Sequence, residues 1–60
     1  MNEQQAINEM TAKITSGKQF IKAYTTVNGD RIVARFVRVK SEKKPRILEW
    51  IVLSGLNDVN

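Results

Sequence analysis

The chain has 60 residues, no Cys, no His and a formal charge of +4. That length holds one domain, residues 1–60, and so short a chain buries only ~60% of the surface its unfolded form exposes. Without Cys or His there is no disulfide, no thiolate or imidazole for catalysis and no ordinary zinc site, so stability rests on a well-made core or one shared with a partner.

The opening NEQQAINEMTAKITSGK predicts a helix over residues 3–16. Asn2 is placed to cap it, with Gln5 three residues on as in a capping box. Ile7, Met10 and Ile14 fall on one stripe flanked by Ala6 and Thr11. Gly17 is expected as the residue that ends the helix. The period then changes. QFIKAYTTV predicts a strand over residues 19–27, rich in aromatic and β-branched side chains. Asn28-Gly29 is a hairpin signal, read as a two-residue type I′ turn with positive φ at both positions. RIVARFVRVK predicts a second strand over residues 31–40. SEKKP is a polar break in which Pro45 limits pairing, and a third strand follows over residues 46–53. The closing SGLNDVN reads as a turn and tail. The expected fold is α+β: an N-terminal helix packed on a three-stranded antiparallel meander, in the order α-β-β-β.

The turn sets a provisional register. A two-residue connection places Thr25 opposite Ile32, Ala23 opposite Ala34 and Ile21 opposite Phe36, so these share one face. A four-residue loop, Ser41 to Lys44, adds Ile47, Glu49, Ile51 and Leu53 to that face and sets Arg35 opposite Trp50. This face is expected to meet Ile7, Met10 and Ile14 of the helix. The other face then carries Phe20, Lys22, Tyr24, Arg31, Val33, Arg35, Val37, Leu48, Trp50 and Val52. One helix cannot cover both sides, and an exposed apolar face of this kind marks a binding surface.

Charge is uneven along the chain. Residues 18–46 hold nine basic groups against Asp30 and Glu42, a net of +7, between neutral-to-acidic ends. That favours an acidic partner. Aromatics on a sheet stack on bases while Lys and Arg hold phosphates. The expected function is therefore a small nucleic-acid-binding module, for DNA or RNA. Its candidate site is Lys22, Tyr24, Arg31, Arg35 and Trp50 on the sheet, with Lys43, Lys44 and Arg46 in and beside the 41–46 loop. Phe20 is a further candidate stacker. The alternative is a protein-interaction module or small inhibitor that uses the same face, with Trp50, Tyr24 and Arg35 as anchors, or a homodimer that buries it.

The sequence argues against catalysis. The six carboxylates are scattered, and Glu49, the one placed inside a strand, is expected to pair with Arg38 or Lys40. Ser16-Gly17-Lys18 lacks the full phosphate-loop spacing and reads as a helix stop. No cofactor or metal site is expected. No apolar run approaches the ~20 residues of a membrane span, and the polar N-terminus lacks the apolar segment of a signal peptide. A cytoplasmic protein with no membrane partner is expected.

The α-β-β-β order is similar in outline to the front of double-stranded-RNA-binding domains, whose second helix is lacking here. It also resembles Sm-type RNA binders, with three of their five strands. Both are likenesses of architecture, and no residue's role is carried over from them.

Overall fold

The computed structural model describes residues 2–53. A helix, α1 (Glu3–Ala12), precedes three strands: β1 (Gln19–Thr25), β2 (Arg31–Val37) and β3 (Arg46–Val52). The strands form one antiparallel sheet with β2 at its centre. This is the expected α+β arrangement, and the closing SGLNDVN lies outside the described residues.

The capping box forms. The Asn2 Oδ1 accepts from the Gln5 N–H at 2.8 Å, and the Gln5 Oε1 accepts from the Asn2 N–H at 2.9 Å. Two donors that a helix start leaves without partners are thereby satisfied. The helix ends at Ala12, four residues earlier than expected. Its last turn tightens, as the Lys13 N–H donates to Met10 O and the Ile14 N–H to Thr11 O, both at 3.1 Å. Thr15 is then held by the Gln19 side chain, whose Oε1 accepts from its N–H and whose Nε2 donates to its hydroxyl. Gly17 lies in the turn that leads into β1 and is not the helix cap.

The first hairpin corrects the expected register. Gly29 alone among the described residues has positive φ, at +89°, and Asn28 does not. The Gly29 N–H donates to Thr26 O at 2.9 Å, and the Thr26 N–H to Asp30 O at 2.8 Å. Val27, Asn28 and Gly29 thus form a three-residue connection: a β-turn followed by a left-handed glycine, the bulged hairpin loop. The Thr26 hydroxyl accepts from the Asp30 N–H at 3.1 Å and braces it. A loop one residue longer slips the pairing by one. Thr25 pairs with Arg31, Ala23 with Val33 and Ile21 with Arg35.

A one-residue slip turns every side chain of a strand to the opposite face. Relative to β1, the faces of β2 are therefore the reverse of those expected. Val33, Arg31 and Arg35 lie on the helix side, and Ile32, Ala34 and Phe36 on the other. The second hairpin slips as well, pairing Ala34 with Trp50 and Arg35 with Glu49. The two slips cancel for most of β3, so Glu49, Ile51 and Leu53 keep the helix side and Trp50 and Val52 the outer side. A bulge between Arg35 and Phe36 then sets Ile47 opposite Phe36, moving it out of its expected core place.

The core is accordingly compact. Ala6, Met10, Val33 and Leu53 are fully buried together, with Ile7, Ile21, Ala23 and Ile51 packed around them. Burying a side chain such as Met10, Val33 or Leu53 contributes about 1.5–3 kcal/mol. Ala6 and Ala23 admit the helix close to the sheet. Ile32, Phe36 and Ile47, expected beneath the helix, take no part in this cluster.

Candidate functional site

The outer face of the sheet is built as three rows read across β1, β2 and β3. The register gives Tyr24–Ile32–Val52, Lys22–Ala34–Trp50 and Phe20–Phe36–Ile47. Phe20 and Phe36 stack with centroids 5.3 Å apart and planes 13° from parallel. Tyr24 leans against Phe36 at 6.4 Å. Trp50 is 58% exposed, and Ile47, Leu48 and Val52 are exposed beside it. Ala34 is buried, so the centre of the face lies low between Tyr24 on one side and the Phe20–Phe36 pair on the other. Lys22 is the charged member of these rows.

Three of the expected site residues meet here: Lys22, Tyr24 and Trp50. Arg31 and Arg35 do not, and this corrects their expected place on the binding face. The Arg31 Nε donates to Glu3 Oε1 at 2.8 Å and its Nη2 to Glu3 Oε2 at 3.3 Å, a two-pronged tie between β2 and the start of α1. The Arg35 Nε and Nη2 both donate to Glu49 Oε1, at 3.1 and 3.0 Å, and its Nη1 donates to Gln19 Oε1 at 2.9 Å. Arg35 thus ties all three strands together beneath the helix side. Glu49 pairs with Arg35 and, at 3.5 Å, with Lys13 of the helix end, and not with the expected Arg38 or Lys40. The hydrogen bond from Arg35 holds the Glu49 carboxyl below the ordinary carboxylate value, helped by the charge of Lys13. Arg31 lowers Glu3 in the same way.

Of the expected loop residues, Arg46 also has a carboxylate partner. Its Nε donates to both carboxylate oxygens of Glu42, at 3.0 and 3.1 Å, and this pairing raises its own pKa. Lys43 and Lys44 are exposed in the loop.

The ion pairs among the described residues join Lys13, Arg31, Arg35 and Arg46 to Glu3, Glu42 and Glu49. Lys18, Lys22, Arg38, Lys40, Lys43 and Lys44 take part in none of them. Lys18, Arg38, Lys40 and Lys43 line one open hollow of about 330 Å³ at the end of the sheet, together with Val39, Glu42 and Pro45. The hairpin brings them together. The Arg38 N–H donates to Lys18 O at 2.8 Å just past the strand ends, and the Glu42 N–H to Val39 O at 2.9 Å turns the chain back.

Sequence reasoning missed Lys18, Arg38 and Lys40 as a group. The signal that finds them is the hairpin pairing, which sets the residue before β1 beside the residue after β2. Arg38 links the two surfaces: its guanidinium lies over the Phe20 ring, 4.8 Å from the centroid, and it also lines the hollow.

No three of His, Cys, Asp and Glu gather to hold a metal ion among the described residues, and no helix among them is long and apolar enough to cross a membrane. Comparison with protein-family models, curated proteins and solved structures finds no match to this chain.

Proposed function

We propose that the chain is a non-enzymatic module for single-stranded nucleic acid, with phosphates held at the basic end and bases laid on the outer sheet face. The observation that carries this reading is the continuity of the two surfaces through Arg38, stacked on Phe20 and facing the hollow. Aromatic platforms beside a basic groove hold unpaired strands without needing a base sequence. The spacing favours unpaired bases. Same-face residues along a strand are ~7 Å apart, about twice the ~3.4 Å rise of a stacked nucleic-acid strand. Bases occupying successive rows must therefore part from one another, as they do in single strands and loops. Lys22 lies between Phe20 and Tyr24 along β1, placed to meet the backbone that links such bases. A cytoplasmic setting goes with this reading.

The test is titration with a single-stranded oligonucleotide, read by the fluorescence of Trp50, the one Trp of the chain. Each neutralised phosphate contributes about −0.7 to the slope of log K against log salt. The six cations outside the ion pairs seen among the described residues bound that slope at about −4. Trp50→Ala, followed by the anisotropy of a fluorescently labelled strand because the variant has no Trp, is expected to weaken binding by about 1–3 kcal/mol, the worth of one stacked base. Affinity that ignores salt, or that survives Trp50→Ala unchanged, would end this proposal.

A second reading has its own support. Ile47, Leu48, Trp50 and Val52 are all exposed on an edge strand, a surface suited to a protein partner or a second copy of the chain. Sedimentation separates the two readings. A stable dimer with blue-shifted Trp50 emission that nucleic acid leaves unmoved favours the second.

A further inference from the structure

We infer that the hollow at the basic end is a site for a terminal phosphate monoester and not for an internal phosphodiester. The inference deepens the single-strand reading and rests on it. Lys18, Arg38, Lys40 and Lys43 face the space with Glu42 the only carboxylate among its lining residues, a net charge of +3. The Glu42 carboxylate is already engaged by Arg46 from outside that set. An internal diester carries a single charge, which leaves most of this field uncompensated. A monoester carries about −1.5 to −2 at pH 7 and three strong acceptor oxygens.

Size and anchoring agree with this. The hollow, about 330 Å³, falls at the lower end of the ~300–1,000 Å³ of small-molecule sites. It has room for a phosphate and part of the nucleoside behind it. Its donors differ in kind. Lys18, Lys40 and Lys43 bring mobile ammonium groups, whereas Arg38 is steadied by the Phe20 ring and offers a planar fork that matches phosphate oxygens. Pro45 and the Val39–Glu42 turn also line the hollow. A strand therefore enters at the hollow by its end and leaves past Phe20 onto the outer face.

The same chemistry is presented by a strand terminus and by a free nucleoside monophosphate, and the experiment separates them. The full chain is titrated with two short oligothymidylates that differ only in a phosphate at one end, and with a nucleoside monophosphate. Trp50 fluorescence reports the strand, and phosphorus NMR reports the terminal phosphate. The phosphorylated oligomer is expected to bind about tenfold more tightly, the worth of one net charge-assisted hydrogen bond. The Lys40→Gln, Lys43→Gln double variant is expected to bring the two oligomers to equal affinity. A preference held only by the oligomer identifies a strand end. A mononucleotide that binds as tightly identifies a free nucleotide, and the monoester site stands in either case. Two oligomers that bind alike to the unaltered chain overturn the inference and leave the single-strand reading standing. If none of the three ligands shifts either signal, both fall together.

Discussion

Gly29→Ala tests the turn on which the whole face assignment depends. Gly29 has a φ of +89°. A Cβ added there meets no atom within 4 Å, so collision contributes nothing. What remains is the cost of holding an L-residue in the left-handed region, about 1–2 kcal/mol. Restricting the unfolded chain returns part of that, leaving a net loss near ~1 kcal/mol. In a domain of this size such a loss lowers the melting temperature by about 4–8 °C. Gly17→Ala is the matched control. It also has no atom within 4 Å but lacks a left-handed φ, so the same substitution is expected to stabilise by about 0.4–1 kcal/mol. Thermal and urea unfolding, followed by circular dichroism and Trp50 fluorescence, measure both variants. A Gly29→Ala chain as stable as the parent would refute the reasoning. The connection would then not need a left-handed residue, and the three-residue loop and the β2 faces it sets would go with it.

Three further predictions follow from the same geometry. Met10→Ala empties the centre of the core and is expected to cost about 2–5 kcal/mol, enough to leave so small a domain largely unfolded by circular dichroism at room temperature. The carboxyls of Glu3 and Glu49 are held below their ordinary value by Arg31 and Arg35. Their contribution is therefore complete above the unfolded carboxylate value of about 4.3 and is lost as pH falls through the lowered folded values. Urea midpoints measured across that acidic range should fall, and Glu49→Gln should flatten part of the fall; a flat profile in the parent chain would deny the ion pairs any role. Finally, Arg35→Glu sets a second carboxylate against Glu49 and is expected to lower the melting temperature, whereas Lys22→Glu on the outer face leaves it in place and weakens oligonucleotide binding. The reverse pattern would return Arg35 to the binding surface.

Much of the architecture was legible in the residues. The Asn2–Gln5 capping box, the change of period after Gly17, the Asn-Gly turn and the SEKKP break placed all four elements, because each is a local signal with a local cause. What was not legible is a count of one. Asn-Gly serves two loop geometries that differ by one residue, and the choice rests on whether Asn28 and Gly29 both take positive φ or Gly29 alone does. The bracing of Asp30 by the Thr26 hydroxyl belongs to the longer loop, and Thr26 was visible beforehand, though it does not decide the matter alone. The consequence is large because side chains alternate. Lys22, Tyr24 and Trp50 kept their expected face, since β1 was the reference and the two slips cancelled at β3. Arg31 and Arg35 lost theirs. The basic hollow was hidden for a related reason: Lys18 and Lys40 lie far apart in the chain and meet only through the pairing.

The register also shows how a basic middle and acidic ends become a directed field. β2 carries arginine at two places four apart, so strand alternation turns both to the helix side. There Arg31 finds Glu3 from the start of the chain, and Arg35 finds Glu49 from β3. Those carboxylates come from the acidic ends of the sequence, which fold back onto the basic middle. Planar guanidinium forks suit this work, because each makes several aligned bonds at once. The cations left outside ion pairs among the described residues are five lysines and Arg38, and Arg38 is the arginine with an aromatic ring beneath it. The net +7 of residues 18–46 is thereby reduced along the sheet and left concentrated at one end, around the hollow. Potential gathered in this way draws an acidic partner to that end first, ahead of any contact with the sheet. On the single-strand proposal, Lys18, Arg38, Lys40 and Lys43 would set where binding begins, and Tyr24 and Trp50 where it is completed. On this argument Lys40→Gln slows association with an oligonucleotide, most of all at low salt, while Trp50→Ala quickens dissociation. Stopped-flow traces of a fluorescently labelled strand resolve the two rates. If both substitutions act on dissociation alone, the hollow has no part in capture.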